Sequence, residues 1–251
     1  MSAPLSLAAA GYAVRGRVLL HPATLGLQPG TLTCLVGPNG AGKTTLIRLS
    51  AGILPPTSGV VRLGGEAVTA LDARERARRV SWLPQDRMSA WAMRGVDIAA
   101  LGQFGQGGQP YERLGDRPRA AVDRALARCG ATSFAHRPMT ELSGGERARI
   151  HLARVLAAEA PVLLLDEPLA ALDPRHQLDV MALLREEAKA GRAVLAALHD
   201  LASARRHADR VLVMEGGRIL ADGPPVAALS PDILARVFAV REDGAGGLQP
   251  V

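Results

Sequence analysis

At 251 residues, 48% hydrophobic and 22% charged, the chain is long and apolar enough to bury a substantial core, which excludes a disordered polypeptide. The formal net charge of +6 rests on scattered arginines, lysine occurring only at Lys43 and Lys189. The most basic stretch (Arg74, Arg76, Arg78, Arg79) is short and interrupted by Glu75, so it reads as solvated surface and nucleic acid is not an expected partner.

No apolar run reaches the roughly 18 residues that a membrane-spanning helix needs. The opening residues lack the basic start and long apolar centre of a signal peptide, so a cytoplasmic chain is expected. Cys34 and Cys129 have no metal-ligand spacing; Cys34, within an apolar run, is expected as a buried reduced thiol.

Apolar runs at 5–9 and 18–20 open the chain, and Gln28-Pro29-Gly30 is a turn. Residues 31–36 have the β-branched, apolar character of a buried strand, and 44–51 that of a helix carrying Leu46, Ile47 and Leu49. Another strand begins at 59–63. From about 94 to 156 the pattern changes to helical spacing at 97–101, 117–128 and 146–158, broken by the glycine-rich 102–108. Beyond it come strands at 162–165, 193–198 and 210–214, alternating with helices at 175–190 and 201–207. That alternation predicts an α/β fold with a mostly parallel sheet. The tail 242–251 is expected to be mobile, and no internal repeat is present.

Gly37, Gly40, Gly42, Lys43 and Thr44 satisfy G-x-x-x-x-G-K-[ST], between a strand and a helix. Glycines let the backbone curl its N–H groups around phosphates, the next helix offers its positive N-terminus, and the lysine adds a point charge. The whole loop (Gly37, Pro38, Asn39, Gly40, Ala41, Gly42, Lys43, Thr44, Thr45) is therefore a candidate nucleoside-triphosphate site, with the Thr44 hydroxyl as a Mg²⁺ ligand. The apolar run 162–165 ends in Asp166 and Glu167. A carboxylate at a strand's C-terminal end is placed to hold hydrated Mg²⁺, and Glu167 to polarise water as general base.

Leu142-Ser143-Gly144-Gly145-Glu146, whose Ser143 lies 23 residues before Asp166, resembles the signature sequence of ABC transporter ATPases. It also reads as a helix start, with Ser143 and Glu146 forming a capping box. Both readings hold together, because in that family this helix start faces the ATP of a second subunit.

Other positions follow in family order. Tyr12, 25 residues before Gly37, resembles the aromatic that stacks on adenine, and Gln85 the Q-loop glutamine that touches Mg²⁺ and links to a membrane partner. Ala171-Leu172-Asp173 resembles the D-loop at the dimer interface, and His199 the switch histidine that contacts the γ-phosphate. Each also has a plain structural reading: Tyr12 as a core or surface aromatic, Gln85 as a loop residue after Pro84, Asp173 as a helix cap before Pro174, His199 as a strand-end histidine.

The resemblance covers about residues 5–240. It implies a single phosphate-loop NTPase unit in which 1–93 and 157–240 form the core with an N-terminal antiparallel β subdomain, 94–156 a helical subdomain, and 241–251 a flexible tail. Three departures stand out: Thr44 for the commoner serine, Glu146 for the commoner glutamine, and Leu169 where a small polar residue is usual. It further implies ATP hydrolysis by a homodimer with composite sites at the cytoplasmic face of the inner membrane. Transmembrane permease subunits would be contacted through the Q-loop region and a substrate-binding protein indirectly.

Residues 173–181, 99–102 and 230–238 resemble the branch that imports iron–siderophores, haem and cobalamin. Molybdate importers share parts of this wording, and exporters and soluble ABC ATPases of translation or DNA repair are the alternatives. The soluble types carry two ATPase halves or long coiled coils, neither of which is present in this sequence.

Overall fold

A computed structural model describes residues 3–86, 93–243 and 248–250. Strands β1 (Leu5–Val14), β2 (Arg17–Leu27) and β3 (Leu32–Val36) precede helix α1 (Lys43–Ser50), β4 (Ser58–Leu63), β5 (Glu66–Ala67), α2 (Ala73–Arg79) and β6 (Val80–Leu83). Helices α3 (Gly95–Ala100), α4 (Asp116–Arg128) and α5 (Gly144–Ala157) follow. The chain continues through β7 (Val162–Asp166), α6 (Pro174–Lys189), β8 (Ala193–Ala197), α7 (Leu201–His207), β9 (Arg210–Glu215) and β10 (Arg218–Gly223). It closes with α8 (Pro225–Ala228), α9 (Pro231–Phe238) and the short pair β11 (Val240–Glu242) and β12 (Leu248–Pro250).

The larger sheet has the order β10-β9-β3-β8-β7-β6, parallel except for β10 at its edge. Its central strands are buried on both faces, which is why they read as unbroken apolar runs. Their side chains alternate between two cores. Leu32, Cys34 and Val36, with Leu163, Leu165, Val194 and Ala196, face helices α3–α7 and α9. Leu35, Val162, Leu164, Leu195 and Leu212 face α1 and the antiparallel sheet β2-β1-β4-β5. In that second sheet β1 and β2 extend well beyond the expected 5–9 and 18–20. A tight hairpin turn at Arg15 and Gly16, both at positive φ, carries the backbone pairing through polar and glycine positions.

Two elements have no clear apolar signature in the sequence. Helix α2 buries no residue and exists through its capping box, in which Asp72 accepts from the Glu75 N–H at 2.8 Å and Glu75 from the Asp72 N–H at 3.2 Å. The stretch expected to be solvated surface is therefore partly structural. Arg78 Nε donates to the Gly105 carbonyl at 2.6 Å, and Arg79 bonds the Leu63 carbonyl at 3.0 Å and pairs with Glu66 at 2.7 Å. Strand β6, only four residues long, extends the parallel sheet beside β7. At the tail, β11 and β12 pair antiparallel, with 244–247 and 251 outside the described residues.

Within 94–156, α3 and α4 pack on α5. The glycine-rich break at 102–108 serves close packing rather than a loop alone. A Cβ on Gly102 would collide with the Arg154 carbonyl of α5, and the buried Gln103 amide donates to the Ala157 carbonyl at the end of that helix. Helix α4 is tied to α6 by charge: Glu187, 1% exposed, pairs with Arg128 and with Arg192 at 2.6 Å.

Removing one partner of a buried ion pair costs roughly 3–5 kcal/mol, less where the partners left behind reach water. Both arginines here are partly exposed. Glu187→Gln is therefore expected to lower unfolding free energy by about 2 kcal/mol, read from the urea midpoint.

Candidate functional site

In a parallel sheet every strand presents its C-terminal end to the same edge, so segments distant in sequence meet there. The phosphate loop leaves β3, Gln85 follows β6, Asp166 ends β7 with Glu167 next after it, and His199 follows β8. They border a cleft of about 560 Å³ whose lining includes Asn39, Gly40, Ala41, Gly42, Lys43, Thr44, Thr45, Gln85, Glu167 and His199.

The loop's shape depends on backbone that only glycine adopts easily. Gly40 and Gly42 sit at φ 78° and 100°, Gly42 as the residue entering α1. Gly37 has a steric reason too, since a Cβ there would overlap the Met214 carbonyl oxygen of β9. Pro38 closes the loop by accepting from the Ala41 N–H at 3.1 Å. Helix α1 then points its free N–H groups at the cleft, a ready anion site. Lys43 is 7% exposed, and its ammonium is held over the loop by the carbonyls of Gly37 at 2.6 Å and Pro38 at 3.1 Å. Burial lowers its pKa below the usual lysine value, and the charges of Glu167 and Asp166 oppose that shift.

Asp166 is 1% exposed, and neither carboxylate oxygen makes a hydrogen bond of ordinary geometry. Desolvation raises its pKa; the Thr44 hydroxyl beside it works in the opposite direction. Glu167 is held by two residues from other strand ends. Its Oε1 accepts from Gln85 Nε2 at 2.9 Å and lies 2.6 Å from His199 Nε2. Its backbone is left-handed, φ 52°, with the N–H bonded to the Ala197 carbonyl at 3.2 Å. Non-glycine residues in that region are uncommon and concentrate at functional sites.

Other expected residues lie outside this cleft. Tyr12 packs, partly buried, against the core beneath the antiparallel sheet. Arg17 and Leu19 of β2 line the cleft in its place. Their i, i+2 spacing puts them on one face of a strand, a signal present in the sequence. Ser143 caps α5, accepting from the Glu146 N–H at 3.2 Å while Glu146 accepts from the Ser143 N–H at 2.8 Å. Ser143, Gly144 and Gly145 do not line the cleft; the two glycines abut Ala171 and Leu172. Asp173 caps α6 through the His176 N–H at 3.0 Å and pairs with His176 Nδ1 at 2.7 Å.

A phosphate loop and an acidic strand end at the carboxyl edge of a parallel sheet define a phosphate-loop NTPase. Residues 20–170, more than half of the chain, match the family model described as ABC transporter, and the chain belongs to that family.

Curated relatives include the hemin import ATP-binding protein HmuV of Streptomyces coelicolor, 45% identical over 92% of this chain and 83% of that protein. HmuV of Rhodopseudomonas palustris is 42% identical over 96% of this chain and 92% of its own length. The cobalamin import ATP-binding protein BtuD of Halobacterium salinarum is 42% identical over 90% of this chain and 56% of its own length. Among solved structures, cbiO1 from Clostridium perfringens, described as part of the ABC transporter complex cbiONQ, superposes with a TM-score of 0.77 at 27% identity. That match covers 94% of each chain. The ATP-binding cassette MJ0796 bound to ADP and Pi shares the fold, with a TM-score of 0.78 at 23% identity over 88% of this chain and 98% of that one.

Gly37→Ala is expected to displace the loop at an overpacking cost of about 1–3 kcal/mol and so to weaken nucleotide binding roughly tenfold or more. Titration calorimetry with ATP measures it.

Proposed function

We propose that this chain is the ATP-hydrolysing subunit of an importer for haem, cobalamin or a related iron chelate. The observation that carries the hydrolytic reading is the convergence of Gln85 and His199 on one oxygen of Glu167 beside the phosphate loop. The names of its relatives support haem or cobalamin as cargo over molybdate. No helix among the described residues is long and apolar enough to cross a membrane, so the transport path belongs to permease subunits in this reading. Gln85 and the segment after it, of which 87–92 lie outside the described residues, would meet them at the cytoplasmic face of the inner membrane.

The loop N–H groups and Lys43 bind the β- and γ-phosphates of ATP. Asp166, with its unpartnered buried oxygens, and the adjacent Thr44 hydroxyl suit a hard cation, with Gln85 close by. Asp166 and Thr44, with Gln85, would hold Mg²⁺ there, and the ion would supply positive charge to offset the negative charge that develops on the phosphate chain. Glu167, oriented by Gln85 and His199, takes a proton from water as the water oxygen bonds to the γ-phosphorus. The bond from that phosphorus to the β,γ-bridging oxygen breaks, and its electron pair leaves with ADP. The signature residues stand apart from the cleft of their own chain, which supports a second copy completing each site with Ser143 and Gly145.

Glu167→Gln is expected to reduce turnover by about a hundredfold or more while retaining ATP, and to accumulate an ATP-bound dimer on size-exclusion chromatography with light scattering. Wild-type turnover in that variant would contradict the general-base role. Lys43→Ala is expected to weaken ATP binding and abolish hydrolysis, measured by phosphate release; unchanged turnover would remove the loop from the mechanism. Co-purification with the permease, and ATPase stimulation by haem or cobalamin with its binding protein, tests the cargo.

A further inference from the structure

The segment from the end of β7 to the start of α6 contains two non-glycine residues in the left-handed region, Glu167 at φ 52° and Ala171 at φ 64°. Such backbone persists only where its surroundings fix it. Two short-range bonds help: the Ala170 N–H to the Glu167 carbonyl at 3.2 Å, and the Leu172 N–H to the Leu169 carbonyl at 3.3 Å. The Leu169 side chain, where the family resemblance leads one to expect a small polar group, packs against the larger core.

A further restraint comes from α6. Gln177 Nε2 donates to the Leu172 carbonyl at 3.1 Å and reaches the Leu169 carbonyl at 3.5 Å. It does so from the first turn of a helix already anchored by Asp173, whose carbonyl accepts the Gln177 N–H at 2.9 Å. The same strip touches the start of α5. A β-carbon on Gly144 would stand 3.8 Å from that of Ala171, and one on Gly145 would stand 3.8 Å from Leu172. One amide thus bridges both turns of a strained strip that begins at Glu167 and lies against the signature glycines.

We propose that Gln177 is a positioning residue for ATP hydrolysis. By donating to the Leu172 and Leu169 carbonyls it holds 169–172 in the shape that keeps Glu167 against Gln85 and His199 and seats the start of α5 on the same strip. Gln177 lines no part of the nucleotide cleft, so it acts on the rate of the chemical step and not on nucleotide affinity. The proposal rests on Glu167 being the general base.

The hydrogen-bond donor is the operative feature, and two variants separate it from bulk. Gln177→Glu keeps the size but, ionised, donates nothing; Gln177→Lys keeps a donor. Steady-state hydrolysis, binding of a fluorescent ATP analogue and thermal melts are measured for both, beside wild type and Glu167→Gln. Q177E is expected to lose about tenfold in kcat while KM and ATP affinity stay within about twofold, as for a displaced catalytic group. Q177K is expected to retain at least about half of wild-type kcat.

Wild-type kcat in Q177E overturns the proposal, as does an equal loss in both variants or a kcat loss that merely follows a lower melting temperature. Full turnover in E167Q removes the base reading and this proposal with it. An inactive E167Q beside a fully active Q177E overturns the clamp alone.

Discussion

Burial of both faces of the five parallel strands constrains everything else in this molecule. A strand covered on both sides must be apolar along its length, so its chemistry is confined to its ends. Because β3, β6, β7 and β8 run in the same direction, their C-terminal ends share one edge. The phosphate loop, Gln85, the Asp166–Glu167 pair and His199 meet there although more than 150 residues separate the first from the last. The helices and the antiparallel sheet that cover the two faces are what make this edge chemically possible.

At that edge, polar groups are held in states that water would not favour. Asp166 keeps a carboxylate almost out of solvent with no well-formed hydrogen bond, Lys43 keeps an ammonium there on two carbonyls, and Glu167 keeps a left-handed backbone. An isolated chain segment would relax each of these. They survive because rigid strands and the loops immediately after them fix the positions, a pre-organisation that suits the binding of a highly charged phosphate chain.

How much was legible in the sequence follows from how local each feature is. The phosphate loop, Asp166–Glu167 and the capping box at Ser143 and Glu146 are written in consecutive residues, and the structure shows the elements those spacings imply. Strands β3, β7, β8 and β9 of the central sheet were legible for the same reason, whereas the short β6 and the edge strand β10 were not. Helix α2 was not, because it buries nothing and its only signal is the Asp72–Glu75 cap. Gln103, Gln177 and Glu187 were invisible as structural residues, since their partners lie on other turns or helices and no spacing rule connects them. Arg17 and Leu19 were hard to read as cleft residues because no motif marks them and only their i, i+2 spacing places them on one face of β2.

The scarcity of lysine has a practical side. Of the two lysines, Lys43 is buried in the phosphate loop, while Lys189 is exposed at the last turn of α6. Helix α6 connects the C-terminal end of β7 back to the N-terminal end of β8, so Lys189 stands at the sheet edge opposite the nucleotide cleft. Amine-reactive dyes or surface linkers therefore meet one lysine side chain, placed where a tether leaves the cleft and the signature helix unobstructed. The composition that first suggested only an arginine-rich surface thus provides a defined point of attachment for single-molecule or immobilised measurements.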